Sequence, residues 1–204
     1  MTLKQIEFPA TIPDGVDVLD DEPGFVPSRH LQFEASQEVY RLGDFGYSDD
    51  EIARCPSDVA VAGPFRILSD EGASAMLDVS RRLKVFKQRS ERASAMVRYP
   101  AYRSKFIRDL ARSSEVAGFV GDQLEAELVP SALTGLALSH FNYAPDELGE
   151  AIDEWHHDIV GIDYVMAASD PRELDGGRFE FFTGTKAELS QMQAAGQGVP
   201  RDRV

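Results

Sequence analysis

The stretch that decides the fold is EWHHDIVGIDY, residues 154–164, followed closely by MAASDPRELDGGRFEFFTGT, residues 166–185. Two adjacent histidines and an aspartate stand at the head of a run rich in β-branched residues, in a chain with only four histidines. In an extended strand, residues two apart project to the same side, so His156 and Asp158 face one way and His157 the other. An imidazole and a carboxylate in H-x-D spacing are two thirds of a 2-His-1-carboxylate facial triad, which leaves coordination positions open on Fe(II).

The surroundings read as a sheet. LALSHFNYA alternates from Leu136 to Tyr143, DIVGIDYVMAAS (158–169) is a second extended run, and RFEFFTG (178–184) a third. The Pro- and Gly-rich SDPRELDGG lies between the last two, with Gly176 and Gly177 supplying turn geometry. TKAELSQMQAAGQG then opens a short helix with Thr185 and Glu188 in capping-box spacing.

Upstream, the texture is helical. Ser69 is the expected N-cap of a helix that has Asp70 and Glu71 in its first turn and Ala73, Met76, Leu77 and Leu83 on one face. A second helix is expected over Tyr102–Arg112. A third starts near Glu115, with Val116, Phe119, Val120, Leu124 and Leu128 on one stripe and Pro130 closing it. Residues 1–62 are rich in Pro, Gly and Asp and keep no sustained period, so they read as an N-terminal arm with a short helix near Ser48–Arg54. Residues 63–204 then form the main domain, helices over 66–130 and strands over 131–204.

Composition bounds the function. A chain of 204 residues is long enough to bury a core without help from a metal or disulfide. Cys55 is the only cysteine, which excludes an intramolecular disulfide, suits a reducing compartment and is expected to be a half-buried structural thiol. The N-terminus lacks the basic head and apolar run of a signal peptide, and no stretch is apolar enough to span a membrane, so a cytoplasmic location is expected. The net charge of −14 argues against nucleic acid. From Arg81 to Arg112, however, eleven Lys and Arg face only Glu91 and Asp109, a local charge of +9. That segment suits either a cleft for an anion or solvated helical faces paired with acidic neighbours.

Taken together, SHFNYA (139–144), WHHD (155–158), YVMAASDP (164–171) and DGGRFEFF (175–182) resemble the first half of the double-stranded β-helix of the 2-oxoglutarate and Fe(II)-dependent oxygenases, nearest to the phytanoyl-CoA and prolyl hydroxylase-like branches. The resemblance covers roughly Leu136–Thr185, and the helices before it resemble those that buttress the major sheet. It implies an α+β protein with a helical layer and an incomplete jelly-roll of cupin-like type. It implies His156 and Asp158 as the first two Fe(II) ligands, and Asn142 and Tyr143 on a strand that contacts the 2-oxoglutarate co-substrate in some members. The implied activity couples decarboxylation of 2-oxoglutarate to succinate with hydroxylation of a C–H bond, in a small-molecule or peptide substrate.

The departures matter as much. Such enzymes take a third ligand from a downstream histidine and bind the distal carboxylate of 2-oxoglutarate with an Arg or Lys about ten residues later. No histidine follows Asp158, His30 and His140 lie upstream, and Arg201 and Arg203 come too early. The sequence is therefore expected to be the N-terminal part of a longer product or a member whose site has decayed into a non-catalytic binding protein. Uncovered sheet would favour self-association.

Other motifs fit less well. An H-H-x-x-x-D pattern fails at Gly161, since Asp163 comes two residues too late, and an HD-type phosphohydrolase would need a helix where the residues are strand-like. A zinc site lacks cysteine partners for Cys55, and a serine triad lacks its G-x-S-x-G elbow. His157 reads as a partly exposed histidine, His140 as a hydrogen-bonded one beside Asn142, and Trp155 as core, rim or substrate wall.

Overall fold

The computed structural model describes residues 18–90, 92–130, 138–146, 152–158, 161–173 and 178–204. Among them the elements run α1 (Pro27–His30), β1 (Leu31–Glu34), β2 (Glu38–Arg41), α2 (Asp49–Ile52), β3 (Val59–Gly63), β4 (Arg66–Leu68), α3 (Asp70–Leu83), β5 (Met96–Arg98), α4 (Pro100–Arg103), α5 (Lys105–Ala111), α6 (Ser114–Gln123), β6 (His140–Asn142) and α7 (Lys186–Ala194).

The helical layer is organised around α3. Ser69 caps it as expected, its hydroxyl accepting from the Gly72 amide at 3.0 Å. The buried face is Gly72, Ala75, Met76, Val79, Ser80 and Leu83, one position round from the stripe expected through Ala73, which is exposed. Gly72 sets that rotation: a Cβ there would lie 2.2 Å from the His30 carbonyl oxygen, so α1 seats directly on the α3 backbone. His30 is buried, accepts from the Val26 amide through Nδ1 at 2.9 Å, stacks its ring on Phe25 and meets Phe106 edge-on. Val79, Leu83 and Phe106 are fully enclosed. Ile107, Leu110, Val116 and Val120 complete the core from α5 and α6.

The helix expected over Tyr102–Arg112 is two helices broken at Ser104. That residue is extended, its hydroxyl accepts from the Ile107 amide at 3.1 Å, and it donates to Glu22 at 2.6 Å. A side chain that serves as a cap competes with continuing the helix. Similarly, α6 stops at Gln123, well before Pro130. The Gly121 carbonyl accepts from both Leu124 and Ala126, and Glu125 takes a left-handed conformation.

The sheets are three separate two-stranded antiparallel ladders, β1–β4, β2–β3 and β5–β6. The α+β class therefore holds, while no double-stranded β-helix is formed among the described residues. The β1–β4 ladder joins the expected arm to the main domain, with Leu31 opposite Leu68. Residues 161–170 nevertheless keep a strand-like period, because Met166 and Ala168 pack on the core while Ala167 and Ser169 are exposed. An extended segment becomes a strand only when a neighbour satisfies its amides and carbonyls. Among the described residues none pairs with this one, nor with 178–182. Gly176, Gly177 and Leu136 lie outside the described residues.

At the C-terminal end, Thr185 and Glu188 make the expected capping box of α7. Phe181 packs with Tyr40 and Phe45 of the N-terminal hairpin region, and the Lys186 amide donates to Tyr47 Oη at 2.9 Å. Cys55 is exposed rather than half-buried, because the short α2 buries none of its residues. Among the described residues no helix is long and apolar enough to cross a membrane.

Candidate metal centre

The β5–β6 ladder builds the floor of the site. Val97 pairs with Phe141 and Arg98 with His140, and alternation along β6 sends Phe141 to the core and His140 and Asn142 outward. Tyr143 follows Phe141 inward. Its hydroxyl donates to the Ser80 carbonyl at 2.7 Å, and burial pushes its pKa up to about 12. Of the two residues implied as co-substrate contacts, Asn142 is thus on the outward face and Tyr143 on the opposite one, tied to α3.

Asn142 donates through Nδ2 to Asp153 at 3.2 Å. This places residues 152–158 beside the outward face of β6. The segment is irregular rather than a strand, yet it brings His156 and Asp158 together: His156 Nε2 lies 3.2 Å from Asp158 Oδ1. His157 is turned elsewhere, its Nδ1 donating to the Asp158 carbonyl at 2.8 Å. The separation of the pair thus agrees with alternation, while local hydrogen bonds rather than a ladder produce it.

The protonation pattern of His156 follows from its partners. Nδ1 lies 2.6 Å from the Glu154 carbonyl oxygen, an acceptor only, so Nδ1 carries the proton. In the neutral ring, Nε2 then has a lone pair aimed at a carboxylate oxygen. Two electron-pair donors at that distance repel unless something positive lies between them, either a second proton on the ring or a metal ion. Donors about 2.1 Å from a metal and about 90° apart lie about 3 Å from each other, so the spacing suits two adjacent ligands of one ion. Among the described residues, no group of three or more His, Cys, Asp or Glu is arranged to hold a metal ion. The pair therefore offers an ion two donors at most, and a third would have to come from a group other than these side chains.

Charges surround the pair. Asp163 has its pKa raised by burial and then by Asp158, with His140 and His156 acting in the opposite sense. His140 is pushed down by burial and then by Arg92, against Asp153, Asp158 and Asp163. Both side chains have surface open to solvent, yet the protein around them removes enough water to favour their neutral forms. Arg92 contacts Asp153 through Nε at 2.8 Å. Other cations of the basic segment are also paired, Lys87 with Asp146 at 2.5 Å and Lys105 with Asp109 at 3.0 Å. Trp155 is at the rim, 36% exposed, and its carbonyl accepts from Gln193 of α7 at 3.3 Å.

The sequence reading passed over Arg92 and Asp153, and met Asp163 only as a misplaced residue of an H-H-x-x-x-D pattern. The available signals were the position of Asp153 three residues before His156 and that of Arg92 within the basic segment.

No family model, curated protein or solved structure matches the chain.

Proposed function

We propose that the chain carries the metal-binding half of an Fe(II)- and 2-oxoglutarate-dependent dioxygenase, on a scaffold of jelly-roll type, acting on a C–H bond of a small-molecule or peptide substrate in the cytoplasm. The observation that carries the reading is the convergence of His156 Nε2 and Asp158 Oδ1 at 3.2 Å, with the proton of His156 held on the other nitrogen. Bound Fe(II) would supply the open coordination positions at which 2-oxoglutarate and dioxygen are brought together, giving succinate, CO2 and a hydroxylated product. In this reading, His156 and Asp158 hold the ion, the Glu154 carbonyl fixes the imidazole, and the outward face of β6 carrying His140 and Asn142 forms one wall. Trp155 lies beside the pair as rim for the substrate.

The alternative is a non-catalytic binding protein on the same scaffold, favoured by the lack of a third donor among the described residues. Succinate formation from 2-oxoglutarate with Fe(II) and ascorbate separates the two. The dioxygenase reading expects succinate that depends on both Fe(II) and His156. Metal binding by the pair without succinate formation supports the binding protein. Exposed Val165 and Phe179 are the apolar surface through which self-association would run. Sedimentation velocity over a range of concentrations reads it directly.

A further inference from the structure

We infer that Asp153 is a positioning residue that sets the tautomer and aim of His156, acting through the backbone of Glu154, and that Arg92 and Asn142 hold it in place. The inference rests on the metal-pair reading for its consequence but on separate contacts for its geometry. The Asp153 side chain is only 17% exposed, against 49% for Asp158. Its Oδ1 forms an ion pair with Arg92 Nε at 2.8 Å and accepts from the Glu154 amide at 2.9 Å, and its Oδ2 accepts from Asn142 Nδ2 at 3.2 Å. These partners come from the approach to β5, from the next residue in the chain, and from β6. One carboxylate thus pins residues 152–158 to the β5–β6 ladder.

The consequence reaches His156 in one step. Glu154, gripped at its N–H by Asp153, offers the carbonyl of its next peptide unit to His156 Nδ1 at 2.6 Å. Asp153 Oδ1 is itself 3.9 Å from that nitrogen, too far for a hydrogen bond but close enough to favour a proton there. Both effects favour the proton on Nδ1 against the pull of Asp158, which lies 3.2 Å from Nε2, and so leave Nε2 as the electron-pair donor of the neutral ring. Since Asp153 already accepts two hydrogen bonds and pairs with a guanidinium, its oxygens are largely committed, and it serves the pair from behind rather than joining it.

Two readouts test this on the full chain. Nitrogen-15 shifts of the histidine rings, at about pH 8 and without metal, report which nitrogen of His156 is protonated. The wild type is expected to hold Nδ1–H, and Asp153→Ala a mixture in which Nε2–H is prominent. Mn(II) titration is expected to weaken about 10-fold or more in Asp153→Ala, and less in Asp153→Asn, which keeps an acceptor for the Glu154 amide. Asp153→Asn also preserves volume and removes the charge beside Nδ1, so a smaller rise in Nε2–H is expected there too and is read if the alanine variant does not fold. An unchanged tautomer in Asp153→Asn and Asp153→Ala, with Mn(II) affinity within about twofold of wild type, overturns the inference. If instead wild-type Mn(II) binding is insensitive to His156→Ala, the metal reading fails, while a tautomer change on replacing Asp153 still upholds the positioning role.

Discussion

Tyr143→Phe removes one hydroxyl at the joint between the site's floor and the helical core, and its cost should depend on pH in a definite way. The lost bond is the 2.7 Å donation to the Ser80 carbonyl. That carbonyl also accepts from the Lys84 amide at the end of α3, so the variant leaves no orphaned acceptor. The cost at neutral pH is then that of one ordinary hydrogen bond, about 1 kcal/mol, or roughly 2–4 °C in Tm for a chain of this size. At high pH a second effect enters. Burial raises the phenol from 10.0 to about 12 in the folded state, so the folded protein holds the proton after the unfolded chain has released it. The associated stability is complete below the unfolded value and is lost as pH rises from 10 towards 12. Unscreened, that shift corresponds to about 2.7 kcal/mol; for a half-buried ring about half is retained, roughly 1 kcal/mol. Phenylalanine has no such loss. Urea unfolding should therefore find wild type ahead by about 1 kcal/mol near pH 7 and the two nearly equal near pH 12. A gap independent of pH, or a variant more stable at neutral pH, refutes the reasoning.

Gly72→Ala would drive a methyl into the His30 carbonyl, where a Cβ lies at 2.2 Å, and should cost about 1–3 kcal/mol in thermal unfolding because backbone must move. Ser104→Ala removes both the cap on Ile107 and the contact with Glu22, and should cost about 1–2 kcal/mol, with most of the cap restored by Ser104→Thr.

Local signals in the sequence were dependable and long-range ones were not. The caps at Ser69 and Thr185 were legible because the residues that make them lie within four positions of one another. The break at Ser104 was not, since it draws on Glu22 from a distant part of the chain. The short strands β1, β2 and β3 escaped notice within an expected arm because four or five residues carry little periodicity, and their register is set by partners such as Leu68 opposite Leu31. The alternation in Met166–Ala168 was legible as burial but did not dictate a ladder. Within the site, the H-x-D spacing anticipated that His156 and Asp158 converge and His157 does not. The grouping of Arg92, Asn142 and Asp153 depends on how β5 and β6 pair, which no short window contains.

The central claim is that His156 and Asp158, and not His157, form a metal-binding pair. Titration of Mn(II), followed by the loss of the free-ion electron paramagnetic resonance signal, tests it on the wild type and the three single alanine variants. One ion per chain is expected, bound at least about 10-fold more weakly after His156→Ala or Asp158→Ala and with unchanged affinity after His157→Ala. Loss of binding in His157→Ala with retention in His156→Ala would contradict it.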